Sequence, residues 1–73
     1  MKVGDLVTLK HTKENEEAHV KKFMGKVGKV TDKQTTKRKI SFFRVLFSGE
    51  NHYEDVGEWR IEKFYPLDNY SML

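Results

Sequence analysis

Apolar residues are densest in the stretch Ile40 to Phe47, which reads Ile-Ser-Phe-Phe-Arg-Val-Leu-Phe. A run this rich in aromatic and β-branched side chains, followed by Ser48-Gly49, predicts a strand ended by a turn. Alternate residues divide it into one face carrying Phe43, Val45 and Phe47 and another carrying Ile40, Phe42, Arg44 and Leu46. The first is the better core face, so this segment is expected to be the central strand. Its second face must then be covered by another part of the chain or offered to a partner.

The remaining pattern supplies the neighbours. Val3 to Lys10 opens with a Gly4-Asp5 turn and then alternates, placing Val7 and Leu9 on one face of a first strand. Gly25 to Asp32 predicts a second strand, in which Val27 and Val30 are three apart; a bulge or kink at Gly28 would bring both to one face. Between these strands, His11 to Phe23 is polar and charged and is expected to be a long excursion loop, because a helix of one or two turns is marginal in water. Lys33 to Lys39 is expected to be a polar hairpin tip. Tyr53 to Arg60 predicts a fourth strand interrupted by Gly57, with Trp59 and Ile61 both facing inward, and Ile61 to Leu67 a tight turn and a short closing strand. The expected core is Val7, Leu9, Val27, Val30, Phe43, Val45, Phe47, Trp59, Ile61 and Leu67.

These elements predict an all-β fold, a small five-stranded, strongly bent antiparallel barrel with a long first loop. Residues 1–67 are expected to form the single domain and residues 68–73 a C-terminal tail. A chain of 73 residues buries only about 60% of its unfolded surface, which disfavours a deep catalytic cleft. It has no cysteine, so packing must hold it together without disulfides or thiolate metal sites. An N-terminus without an apolar signal segment, and the absence of any apolar run of roughly 18 residues, suggest a cytoplasmic protein with no membrane partner.

The order of elements resembles a Src-homology-3-like small barrel: Gly4-Asp5 before Val7, a long first loop, Gly25 and Gly28 before Val30, an aromatic third strand, and an ending from Trp59 to Pro66. Gly25-x-x-Gly28-x-Val30 is also similar to the glycine pattern of KOW-type barrels, and that resemblance implies contact with ribosomal RNA or RNA polymerase. The connection from Val7 to Gly25 is longer than the KOW pattern usually has, and the Tyr motif by which signalling barrels bind proline-rich peptides is missing. Barrels of this outline also serve as docking subunits, among them the small stromal subunit of photosystem I and the variable chain of ferredoxin-thioredoxin reductase. Bacteriophage proteins of this size look similar too, which implies an accessory or regulatory role.

Charge sharpens the functional reading. The net charge is +3, but residues 29–47 carry +5 and residues 48–73 carry −4. Such asymmetry marks an anionic partner, or else adjacent strands that neutralise each other. Lys33, Lys37, Arg38 and Lys39 would meet phosphates, while Phe42 and Arg44 on the outward face of the next strand would stack on unpaired bases of RNA or single-stranded DNA. Alternatively Phe42, Leu46 and Tyr53 form an apolar docking patch beside Glu54 and Asp55, with the acidic segment Glu50 to Glu58 steering a basic protein partner. The two readings differ in one observable: a nucleic-acid binder keeps the acidic segment away from Phe42 and Arg44, and a docking module has it alongside. In the plainer reading the lysines protect a strand edge and Phe42 is covered. The same outward face could also close a homodimer.

Nothing in the sequence points to an enzyme, a cofactor or a small-molecule substrate. Ser48-Gly49 is accounted for by a turn and no nucleophile motif is present. His11, His19 and His52 with Glu14, Glu16 and Glu17 match no compact metal-ligand spacing. Gly25-Lys26-Val27-Gly28-Lys29 lacks the spacing and the hydroxyl of a phosphate-binding loop.

Overall fold

The computed structural model describes residues 1–66. The expected core position Leu67 and the tail 68–73 lie outside the described residues. Five strands form one antiparallel sheet: β1 (Leu6–Leu9), β2 (Gly28–Thr35), β3 (Ser41–Phe47), β4 (Glu54–Gly57) and β5 (Ile61–Lys63). Their order across the sheet is β4-β3-β2-β1-β5. The aromatic segment is therefore an interior strand paired on both sides, while the middle place belongs to β2. No ladder joins β4 to β5 among the described residues, so the sheet is open. Yet only a 3₁₀ turn of three residues, Glu58–Arg60, connects these two outermost strands. Four residue steps reach at most about 14 Å, and the edges of a flat five-stranded sheet lie about 19 Å apart. The sheet must therefore curl strongly.

The core lies inside that curl. Val7, Leu9, Val30, Phe43, Val45, Phe47 and Ile61 are buried, as their alternation predicts, and Val27 is half-buried. Three buried apolar residues were not expected: Val20, Phe23 and Val56. Two of them belong to the segment read as an excursion loop. That segment instead forms a short helix, α1 (Lys13–Glu17), and a 3₁₀ turn at His19–Phe23. Thr12 caps α1 through its Oγ1, which accepts the Asn15 N–H at 3.2 Å. Asn15 is fully buried, and its Nδ2 donates to the carbonyls of Lys10 at 2.8 Å and Arg60 at 3.0 Å. One side chain thus ties α1 both to the end of β1 and to the turn before β5. Phe23 then stacks on Phe47, with ring centroids 4.9 Å apart and planes 6° from parallel. Helix propensity could not foretell this, because the segment is held by tertiary contacts.

The irregularity in β2 also differs from expectation. The register shifts between Val30 and Asp32, so the bulge sits at Thr31 and not at Gly28. Gly28 has another task. It lies opposite Phe47, and a Cβ there would overlap Val45 and stand 2.9 Å from Phe47 Cδ1. The fourth strand is shorter than expected, ending at Gly57, and the tight turn precedes Ile61 instead of following it. That displacement rotates Trp59 out of the core, and it is 49% exposed.

Replacing Phe23 by Ala should cost about 3–5 kcal/mol, as for other buried aromatics, whereas Lys21→Ala on the exposed side of the same turn should change stability by less than about 0.5 kcal/mol. Chemical denaturation of both variants checks this. Equal midpoints would mean that the segment is not part of the core.

Candidate functional site

The bulge at Thr31 decides which side chains of β2 meet the outward face of β3. Without it, strict alternation after Val30 would turn Asp32 inward. With one residue inserted, Asp32 pairs with Arg44, Lys33 with Phe43 and Gln34 with Phe42. Thr31 Oγ1 donates to the Arg44 carbonyl at 3.3 Å and helps hold the bulge. On the other side of β3, Arg44 lies opposite Asp55 and Phe42 opposite Gly57. The result is a shallow groove of about 490 Å³ lined by Asp32, Lys33, Gln34, Phe42, Arg44 and Asp55.

Arg44 is the electrostatic centre of the groove. Its Nε donates to Asp55 Oδ1 at 3.1 Å. That hydrogen bond, the charge of Asp55 and the nearby charge of Asp32 hold the guanidinium protonated more firmly than usual. The groove is therefore close to charge-balanced, and it is no basic channel.

Trp59 packs against Phe42 beside the groove. A Cβ at Gly57 would overlap the indole, so the ring lies flat over the glycine. Its edge contacts Phe42 at a centroid distance of 5.7 Å and an interplanar angle of 76°. Glu14 of α1 fixes the other end: its Oε1 accepts from Trp59 Nε1 at 3.1 Å and faces Arg60 Nε at 3.4 Å. Aromatic surface is thus presented beside Glu14 and the groove carboxylates Asp32 and Asp55.

The residues expected at the site divide between three places. Phe42, Arg44 and Asp55 meet in the groove. Lys33 also lines it, but its ammonium stands 5.8 Å over the ring of Phe43. Lys37, Arg38 and Lys39 are exposed at the hairpin tip, outside the groove. Here Thr36 N–H donates to Ile40 O and Lys39 N–H to Thr36 O, both at 2.9 Å, and Lys39 takes a left-handed φ of 63°. The tip is therefore a three-residue turn, tighter than the seven-residue stretch expected. Of the docking set, Tyr53 is 55% exposed and Leu46 half-buried, while Glu54 is occupied by His19 Nε2 at 3.1 Å. Sequence reasoning missed Trp59, Asp32, Gln34 and Gly57. The one available signal was the spacing Gly57-x-Trp59, which lets a ring lie back over a residue without a side chain.

Among the described residues no three His, Asp or Glu gather into a metal-binding cluster, and no helix is long and apolar enough to cross a membrane.

Gly57→Ala should push the indole off its seat. The expected outcome is a red-shifted Trp59 emission together with a loss of roughly 1–3 kcal/mol from overpacking; unchanged emission would mean that the ring does not rest on Gly57. Compared with known proteins, the chain matches no family model, no curated protein and no solved structure.

Proposed function

We propose that this chain is a non-enzymatic docking module that takes a protein segment carrying basic and apolar side chains. The contact surface is the outward face of β3 and β4 with Trp59. The observation that carries this reading is the Arg44–Asp55 pair, which sets an acidic residue of β4 directly beside Phe42 and Arg44. Phosphate oxygens brought to this groove would meet Asp32 and Asp55 as well as Lys33 and Arg44, with no net attraction. A partner arginine or lysine would instead meet those carboxylates and Glu58, with its stem on Phe42 and its cation against the indole of Trp59. Exposed aromatic anchors rimmed by charge are the residues from which interfaces draw most of their binding energy.

A second reading rests on the hairpin tip. Lys33, Lys37, Arg38 and Lys39 are exposed and make no ion pair with a described residue. This supports salt-sensitive, sequence-blind attraction to RNA or single-stranded DNA. Such binding would use the tip, and Lys33 alone of this set borders the groove. The fold reading that goes with both functions is a small Src-homology-3-like barrel, supported by the three-residue connection between the outermost strands. A phage-encoded accessory protein in a cytoplasm is the setting that this resemblance suggests.

An amide-shift titration with two probes separates the readings: a synthetic peptide alternating Arg and Leu, and a single-stranded oligonucleotide. The peptide should move the Trp59 indole and the amides of Phe42 and Asp55, and Trp59→Ala should weaken it at least about tenfold. Should the oligonucleotide move those signals and the peptide leave them still, the docking reading fails.

A further inference from the structure

Besides the outer sides of β4 and β5, the described residues leave one stretch of interior strand open on one side. β1 covers β2 at Gly28 and Lys29. Val30 completes the cover, donating its N–H to Asp5 O at 2.9 Å and accepting from Gly4 N–H at 2.8 Å. Beyond the Thr31 bulge β2 continues to Thr35, paired with β3 on one side and with no described strand on the other. The direction of its free backbone groups follows from the turn. Thr36 N–H donates to Ile40 O, so that pair bonds across the hairpin. Antiparallel pairs alternate, so Gln34 and Asp32 also direct their backbone groups at β3. Lys33 and Thr35 therefore aim an N–H and a C=O each toward the open edge.

We infer that this edge pairs with the same edge of a second copy, antiparallel, about a twofold axis at Gln34. The hydrogen-bonding residues must face one another, which places the axis on a residue and not between two. An axis on Lys33 sets two lysines directly opposite. An axis on Thr35 sets Lys33 against Lys37 of the second copy, and an axis on Thr36 sets it against Lys39. Like charges opposite one another destabilise a sheet. The axis on Gln34 avoids this. Lys33 then exchanges two backbone hydrogen bonds with Thr35 of the second copy, twice over by symmetry. The two Gln34 side chains meet, and Asp32 lies across from Thr36 of the second copy, on the face toward its Arg38. The basic tip of each chain thus lands near an acidic residue of the other; an axis on Thr35 also brings Asp32 to Arg38, but with Lys33 set against Lys37. The short free edge stops where Gly4 and Asp5 begin, so the pair is closed and cannot stack further. Because Gln34 also lines the groove, pairing would set two grooves side by side on one face of a continuous sheet.

Sedimentation of the full chain without any ligand, over a concentration series reaching the millimolar range, reads this independently of the docking proposal. The mass should rise from one chain to two. Thr35→Pro removes an outward N–H that the ladder to β3 does not use, and should hold the chain monomeric with unchanged circular dichroism. Asp32→Lys and Arg38→Asp should each weaken association on the order of tenfold, since the pair occurs twice, and the double exchange should restore it. A chain that stays monomeric throughout, a dimer indifferent to Thr35→Pro, or a double exchange that recovers nothing would overturn the inference. If Thr35→Pro does not fold, the charge exchange still decides.

Discussion

The stack of Phe23 on Phe47 is the contact on which the rest of the structure depends. A single sheet in so short a chain buries a face only if something covers it, and the sheet cannot cover itself completely. The connection between β1 and β2 does this work, placing Val20 and Phe23 against the core face of β3. It can do so because Asn15 is anchored at both ends of its reach, on the Lys10 and Arg60 carbonyls. Those carbonyls also accept from the Thr12 and Lys10 N–H groups, so the buried amide adds a second hydrogen bond to each, and its loss would cut both ties of the connection at once. The polar connection is thus a structural lid whose solvent side is charged.

Covering one face leaves the other bare, and that asymmetry creates the site. With the connection on the core side, the outward residues of β3 have only each other and the flanking strands. The Thr31 bulge brings Asp32 to that surface, β4 brings Asp55, and Arg44 is held between them. These charges are exposed, and the one ion pair among them, Arg44–Asp55, contributes little to stability. Their consequence lies in recognition, because they convert the centre of a basic stretch into a surface of mixed sign beside two aromatic rings.

Three surfaces of different character result: an aromatic and charge-balanced groove, a basic turn, and a short unpaired edge. They are set by one hairpin, β2–β3, whose two faces, tip and free side each carry a different chemistry. This arrangement explains how a segment with net +5 can contain a groove that is not electropositive. The cations of Lys37 to Lys39 point away at the turn, and the cation of Arg44 is neutralised at the strand.

What the sequence determined by itself was everything governed by alternation over a few residues. The faces of β3, the buried Val7, Leu9, Val30 and Ile61, the outward Phe42 and Arg44, and the antiparallel all-β class follow from a period of two and from turn residues, which are local properties. Tertiary structure decided the rest. Phe23 and Val20 read as parts of a solvated loop because nothing nearby in sequence shows the sheet face they cover. Trp59 read as core because parity with Ile61 carries across a strand but not across a 3₁₀ turn. The bulge fell at Thr31 because the register of β2 is fixed by pairing with β3 at Arg44, 13 positions along the chain, and by the Thr31 hydrogen bond to it. Charge was legible as a sum along the chain, whereas its neutralisation at Arg44 required the pairing of β3 with β4. Alternation is written in neighbours; pairing partners, and therefore the site, are chosen by contacts between residues far apart in the chain.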